Sequence, residues 1–208
     1  MNLVLQSLSR ASVCWLLIAV TRVLAQYTNL PDVAPGVFNV SARIEIEHTN
    51  ISAAWDALTD FPAYPKWNPF VRSSIAVDVA NISLPSQRPV ENTQLLLRVQ
   101  IPALPLPVNE YTPDNPLATQ FSYENVTHVQ PELGRLAWEA YPNPIITAER
   151  WQALSVNKQN GRVLYESREV FSGPAAALTQ QLLGEKLQKS FDAQAQGLKM
   201  WLEGGYQP

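Results

Sequence analysis

The sequence predicts an α+β fold: a curved antiparallel sheet of about six to seven strands wrapped on one long C-terminal helix, with two short helices after the first strand. Three observations carry this. Seven segments between residues 38 and 171 are strand-like, several with clear period-two alternation, and they are separated by turn-rich loops. From Leu178 to Leu202 the apolar period changes to that of a helix. Between the first and second strands, ISAAWDALTDFPAYPKWNPF (51–70) carries helical spacing broken twice by proline.

Gln26–Val37 holds Pro31, Pro35 and Gly36 and reads as a leader. Phe38–Glu47 places Phe38, Val40, Ala42, Ile44 and Ile46 on one face and Asn39, Ser41, Arg43, Glu45 and Glu47 on the other, a half-buried strand. Ile51, Trp55 and Leu58 then share a helical face. Asp60-Phe61-Pro62 ends that helix, and Tyr64, Trp67 and Phe70 recur every three residues between Pro65 and Pro69. In the next strand, 71–79, alternation sends Val71, Ile75, Val77 and Val79 inward. Residues 81–92 form a polar loop, 93–101 a third strand, and 102–116, with five prolines, a long loop. Four further strands follow at 119–129, 135–140, 147–156 and 162–171, the last two joined by a hairpin turn at Asn157–Gly161. After Gly173-Pro174 the stripe Leu178, Leu182, Leu183, Leu187, Phe191, Leu198 and Trp201/Leu202 marks a helix of about 28 residues, roughly 40 Å long. Gly204-Gly205 ends it. A sheet of this size has an apolar face to bury, and only this helix is long enough to cover it. A space is expected between the two, capped at one end by the short helices. No repeat or second domain is visible, so residues 38–208 read as one domain.

Composition excludes several roles. The 208 residues are 46% hydrophobic and 16% charged, with net charge -3. There is no basic cluster, so a nucleic-acid partner is not expected. Residues 1–25 read as a secretory signal: Arg10, the uncharged run Ala11–Val20, too short to span a bilayer, and Val23-Leu24-Ala25 before an expected cleavage at Gln26. Four sequons, at Asn39, Asn50, Asn81 and Asn125, agree with a secreted glycoprotein and with no membrane span after cleavage. The single cysteine, Cys14, lies in the signal, so the processed chain has neither thiol nucleophile nor disulfide. His48 and His128 stand far apart, and no glycine-rich phosphate loop or G-x-S-x-G is present. No metal or organic cofactor is expected.

The motifs resemble those of the helix-grip proteins of the START, polyketide cyclase/dehydrase and birch-pollen-allergen-like superfamily (SRPBCC). The resemblance rests on Ala54-Trp55-Asp56-Ala57-Leu58-Thr59-Asp60-Phe61, Tyr64 and Trp67-Asn68-Pro69-Phe70. Glu169-Val170-Phe171-Ser172-Gly173 before the long helix and Leu198-Lys199-Met200-Trp201-Leu202-Glu203 at its end add to it. It spans residues 38–203 and implies the fold more strongly than the function. Most relatives of this kind lack a signal segment. The resemblance implies either cofactor-free cyclisation, dehydration or isomerisation of a polyketide- or terpenoid-like metabolite, or, alternatively, a non-catalytic carrier of a lipid, sterol or aromatic metabolite.

A cavity between sheet and helix would take an apolar small molecule. Strand parity groups Glu149, Trp151, Ala153 and Ser155, and likewise Tyr165, Ser167, Glu169 and Phe171. If Trp151 and Phe171 point inward, Glu149 and Glu169 do too, as candidate general acid and base. A structural pairing near the helix start is the competing role for Glu169. Trp138, Trp151, Tyr165, Tyr123, Trp67 and Asn68 are the candidate ligand contacts. Core packing competes for Trp138, and a turn-forming role competes for Trp67 and Asn68. By the same parity Arg98, Arg150 and Arg168 face solvent.

Overall fold

The computed structural model describes residues 27–205. Strands β1 (Phe38–Ile46), β2 (Val71–Val77), β3 (Gln94–Gln100), β4 (Thr119–Gln130), β5 (Arg135–Ala140), β6 (Thr147–Val156) and β7 (Val163–Ser172) form one antiparallel sheet in the order β1-β7-β6-β5-β4-β3-β2. Helices α1 (Ile51–Thr59) and α2 (Tyr64–Trp67) follow β1, and α3 (Ala176–Leu202) ends the chain. This is the helix-grip fold. The signal segment and Cys14 lie outside the described residues.

β1 and β2 are consecutive in sequence yet occupy opposite edges of the sheet, so α1 and α2 must carry the chain across its width. Local chemistry fixes that crossing. Asn50 caps α1, its Oδ1 accepting from the Ala53 amide at 2.9 Å. The Tyr64 hydroxyl donates to the Leu58 carbonyl at 2.7 Å, tying α2 back to α1. Asn68 is fully buried, and its Oδ1 accepts from the amides of Phe70 (3.0 Å) and Val71 (2.9 Å), which turns the chain into β2. Helix α3 packs closely here: a Cβ on Gly197 would stand 2.4 Å from the Trp67 carbonyl oxygen.

β2 departs from simple alternation. A bulge between Val71 and Ser73 shifts the register, so Ser74 and Ala76 are buried while Ile75 faces solvent. Val79 lies past the strand and is exposed. The bulge sends Arg72 into the 102–116 loop. Its guanidinium there donates to the carbonyls of Pro65, Asn68, Asn109 and Thr112 and pairs with Asp114. The α3 stripe is also shorter than its periodicity suggests: Leu178 and Leu182 are exposed, and burial becomes continuous only from Leu187.

The leader is anchored across the outer face of the sheet. The Asn29 side chain donates to the carbonyls of Leu133 (2.8 Å) and Leu154 (2.7 Å), its amide to Glu166 (2.8 Å), and Arg135 donates to its carbonyl (2.7 Å). Glu166 is held on its other side by Arg43.

Candidate functional site

A cavity of about 280 Å³ lies between the concave face of the sheet and the N-terminal half of α3. Its walls are apolar: Phe70, Leu97, Val99, Trp138 and Phe171 from the α2–β2 junction and sheet, and Leu183 and Leu187 from α3. Three charge-bearing side chains enter it, Arg150 from β6, Glu169 from β7 and Glu124 from β4.

Arg150 is 3% exposed. Its Nε donates to Ser167 Oγ (3.3 Å) and its Nη2 to Gln194 Oε1 on α3 (3.0 Å). The guanidinium carbon lies 4.1 Å from the Phe191 ring centroid, 5.3 Å from that of Phe70 and 5.7 Å from that of Trp138, so aromatic rings surround its charge. Glu169 is Arg150's direct cross-strand partner and lines the cavity half-buried. Burial raises its pKa, while the Arg150 charge opposes the shift. Glu124 is buried more completely. Desolvation, aided by the Glu169 carboxylate, pushes it up to about 8, against the pull of a Ser122 hydrogen bond and Arg150. At neutral pH Glu124 is therefore a neutral carboxylic acid, able to donate a proton.

The sequence-derived candidates are distributed differently. Trp138 and Glu169 line the cavity. Tyr165 also points inward but is fully buried beneath it, its hydroxyl donating to Gln152 (2.7 Å) and accepting from Gln194 (3.2 Å). Trp67 and Asn68 are buried in the α2 turn, with Trp67 edge-on to Tyr64 at 5.1 Å. Glu149 and Trp151 correct the parity assumption, for both lie on the outer face. Trp151 lies against His128, the rings tilted and their centroids 4.6 Å apart, and Glu149 lies opposite Glu139 in a shallow cleft with Ala34. Tyr123 also faces out, into an open cleft with Asn81 and Tyr141. Arg98 pairs with Asp114 and Arg168 bonds the Pro31 carbonyl, both outside as expected, whereas Arg150 points inward.

The connection between β6 and β7 explains the last three reversals on that hairpin. Val156 pairs with Val163 across six intervening residues, so each odd-numbered residue of β6 lies opposite an even-numbered residue of β7. Glu149 and Glu169 therefore cannot share a face, and a buried Glu169 carries Arg150 with it. Glu124 was concealed by the aromatics Phe121 and Tyr123 on the opposite face of β4. Its pairing with Leu95, an unambiguous core residue of β3, was the signal for its inward position.

Among the described residues no cluster of three or more His, Cys, Asp or Glu side chains is arranged to hold a metal ion, and no helix is long and apolar enough to cross a membrane.

No family model and no curated sequence matches the chain. Solved structures do. Protein jhp0584 from Helicobacter pylori superposes with TM-score 0.61 at 13% identity, covering 85% of this chain and 99% of that one. The di-domain ARO/CYC BexL from the BE-7585A biosynthetic pathway gives 0.53 at 5% identity, covering 78% of this chain and 47% of that one. Ara h 8.0201 gives 0.51 at 11% identity over 81% and 99%. At these identities the similarity establishes the fold alone, which is of the helix-grip type.

Proposed function

We propose that this protein binds a small, apolar, carbonyl-bearing metabolite in the cavity and processes it by proton transfer without a cofactor, in a cyclisation, dehydration or isomerisation of the kind found in secondary metabolism. The observation that carries the reading is the convergence of two carboxyl groups with different surroundings on one otherwise apolar cavity. Burial raises the pKa of Glu169, but Arg150 across from it opposes the shift and favours the base form, whereas Glu124, pushed up to about 8, is neutral at pH 7. Such a pair separates the roles of base and acid. Glu169 removes the proton next to a substrate carbonyl, the C–H electron pair becomes the new C=C bond, and the carbonyl oxygen takes the proton of Glu124. A cavity of about 280 Å³, just below the roughly 300–1,000 Å³ range for ligand sites, suits a one- or two-ring body. The biosynthetic context of BexL supports the reading at the level of the shared fold.

The carrier reading is favoured by one observation, the exposed apolar side chains Leu178, Leu182 and Ile145, which neighbour the cavity-lining Thr179, Leu183 and Ile146. Such a rim suits transfer of an apolar ligand. Action in the secretory route belongs to the same proposal and is supported by the exposure of Asn39, Asn50 and Asn81. Asn50 caps α1 through its oxygen, which leaves the amide nitrogen as the glycan acceptor.

The discriminating experiment is native mass spectrometry of the full chain with its co-purifying small molecule, followed by incubation of that molecule with wild type and Glu169→Gln. The enzyme reading expects conversion by wild type, and bound but unconverted ligand with the variant. Unchanged ligand recovered from both proteins would refute it in favour of the carrier.

A further inference from the structure

We infer that the ligand of this cavity is an organic acid: a one- or two-ring apolar body bearing a delocalised oxyanion, a carboxylate or an enolate, that pairs with Arg150. The inference rests on the cavity being a ligand site and adds the charge of what enters it.

The argument begins with the cost of Arg150. A guanidinium cannot shed its proton at any pH of interest, so burying it cannot be offset by neutralisation. Buried arginines elsewhere in this chain show how the cost is met. Arg72, 2% exposed, has the Asp114 carboxylate 3.2 Å away and four carbonyl acceptors. Arg150 is equally buried, yet among the described residues no carboxylate oxygen comes within the 4.0 Å of an ion pair. Its hydrogen bonds go to neutral groups, those of Ser167, Gln194 and the Tyr165 hydroxyl. Of its five N–H donors, these use only part.

Geometry supplies the rest. Phe70, Trp138 and Phe191 occupy the space over and around the guanidinium. A planar cation held among rings, which accept no N–H···O bond, keeps its remaining donors for the paired oxygens that a carboxylate or enolate supplies. Phe70 and Trp138 also line the cavity, so the surfaces that surround the cation are those an aromatic body would stack on. Neither carboxyl group that shares the cavity forms an ion pair with it: among the described residues no oxygen of Glu124 or Glu169 lies within 4.0 Å of its nitrogens, and Glu124 is uncharged at neutral pH. The cavity thus presents a guanidinium with no ion-pair partner in an apolar shell, and a neutral hydrocarbon ligand would leave its free N–H donors unanswered.

The test uses a matched pair of probes, 2-naphthoate and 2-naphthamide, which share a two-ring body and differ in charge. Calorimetric titration of the full chain at pH 7 is expected to show 2-naphthoate binding at least tenfold more tightly. Arg150→Met should abolish that preference, and Arg150→Lys should keep part of it. Equal or tighter binding of the amide to wild type overturns the inference and leaves the cavity intact as a ligand site. Retention of the acid preference in folded Arg150→Met overturns it as well, by placing the anion elsewhere. Binding of neither probe would overturn the ligand-site reading together with the inference. The wild-type comparison decides the question without any variant having to fold.

Discussion

Replacing Glu124 by glutamine should make the protein more stable, by an amount that grows with pH. An ordinary glutamate titrates near 4.5; in the folded chain burial and the neighbouring Glu169 hold Glu124 protonated to about 8. Between those values the folded state keeps a proton that the unfolded chain has released, so stability falls as pH rises and levels off above the folded value. Each unit of the window costs about 1.4 kcal/mol, which sets an upper bound of about 4–5 kcal/mol across it. Water entering the cavity screens part of this, so about 2–4 kcal/mol is the expected size. Glutamine fills the same volume and cannot ionise, and Glu169 is present in both proteins, so its own titration largely cancels in the difference. Urea unfolding of wild type and Glu124→Gln should give nearly equal free energies at pH 5. At pH 8.5 the variant should be ahead by about 2–4 kcal/mol. A constant difference from pH 5 to 8.5 would refute the reasoning, because Glu124 would then titrate as an ordinary exposed carboxylate.

Two further outcomes concern the framework that holds the cavity. Gly197→Ala improves helix propensity by about 1 kcal/mol, yet its Cβ would lie 2.4 Å from the Trp67 carbonyl; net destabilisation of about 1–3 kcal/mol is expected by thermal or urea unfolding. Asn68→Ala removes the acceptor of two buried amides, those of Phe70 and Val71, and should cost about 2–4 kcal/mol in the same assay, with Asn68→Asp recovering most of it.

The architecture was legible in the sequence because its signals are redundant. The alternation of 38–46, the turn at 157–161 and the long stripe ending at Leu202 each constrain the same topology. The site was less legible, because it depends on single-residue register, where a slip of one moves every side chain to the other face. Trp151 misled for that reason. Tryptophan usually marks a core, but here the anchored leader and His128 give the outer face its own buried layer. The bulge at Arg72 did the same to Ile75 by a different route, since an inserted residue cannot be seen in an alternating pattern. Leu178 and Leu182 keep helical period but are exposed, while their neighbours Thr179 and Leu183 line the cavity. A buried arginine is rare enough that periodicity alone assigns it to solvent, and only the Arg150–Glu169 register reveals where it goes.

The placement of β1 at the sheet edge also dictates the order in which the molecule can be assembled. Among the described residues its only strand partner is β7, and Phe38 pairs with Phe171. During synthesis the first strand therefore waits for its neighbour while about 120–130 further residues are made, on the order of ten seconds at typical elongation rates. The five strands from β2 to β6 can pair as successive hairpins meanwhile, each closing a short stretch of chain. Docking of β1 and α3 must then be among the last events, and every side chain of the cavity stands in water until that closing step.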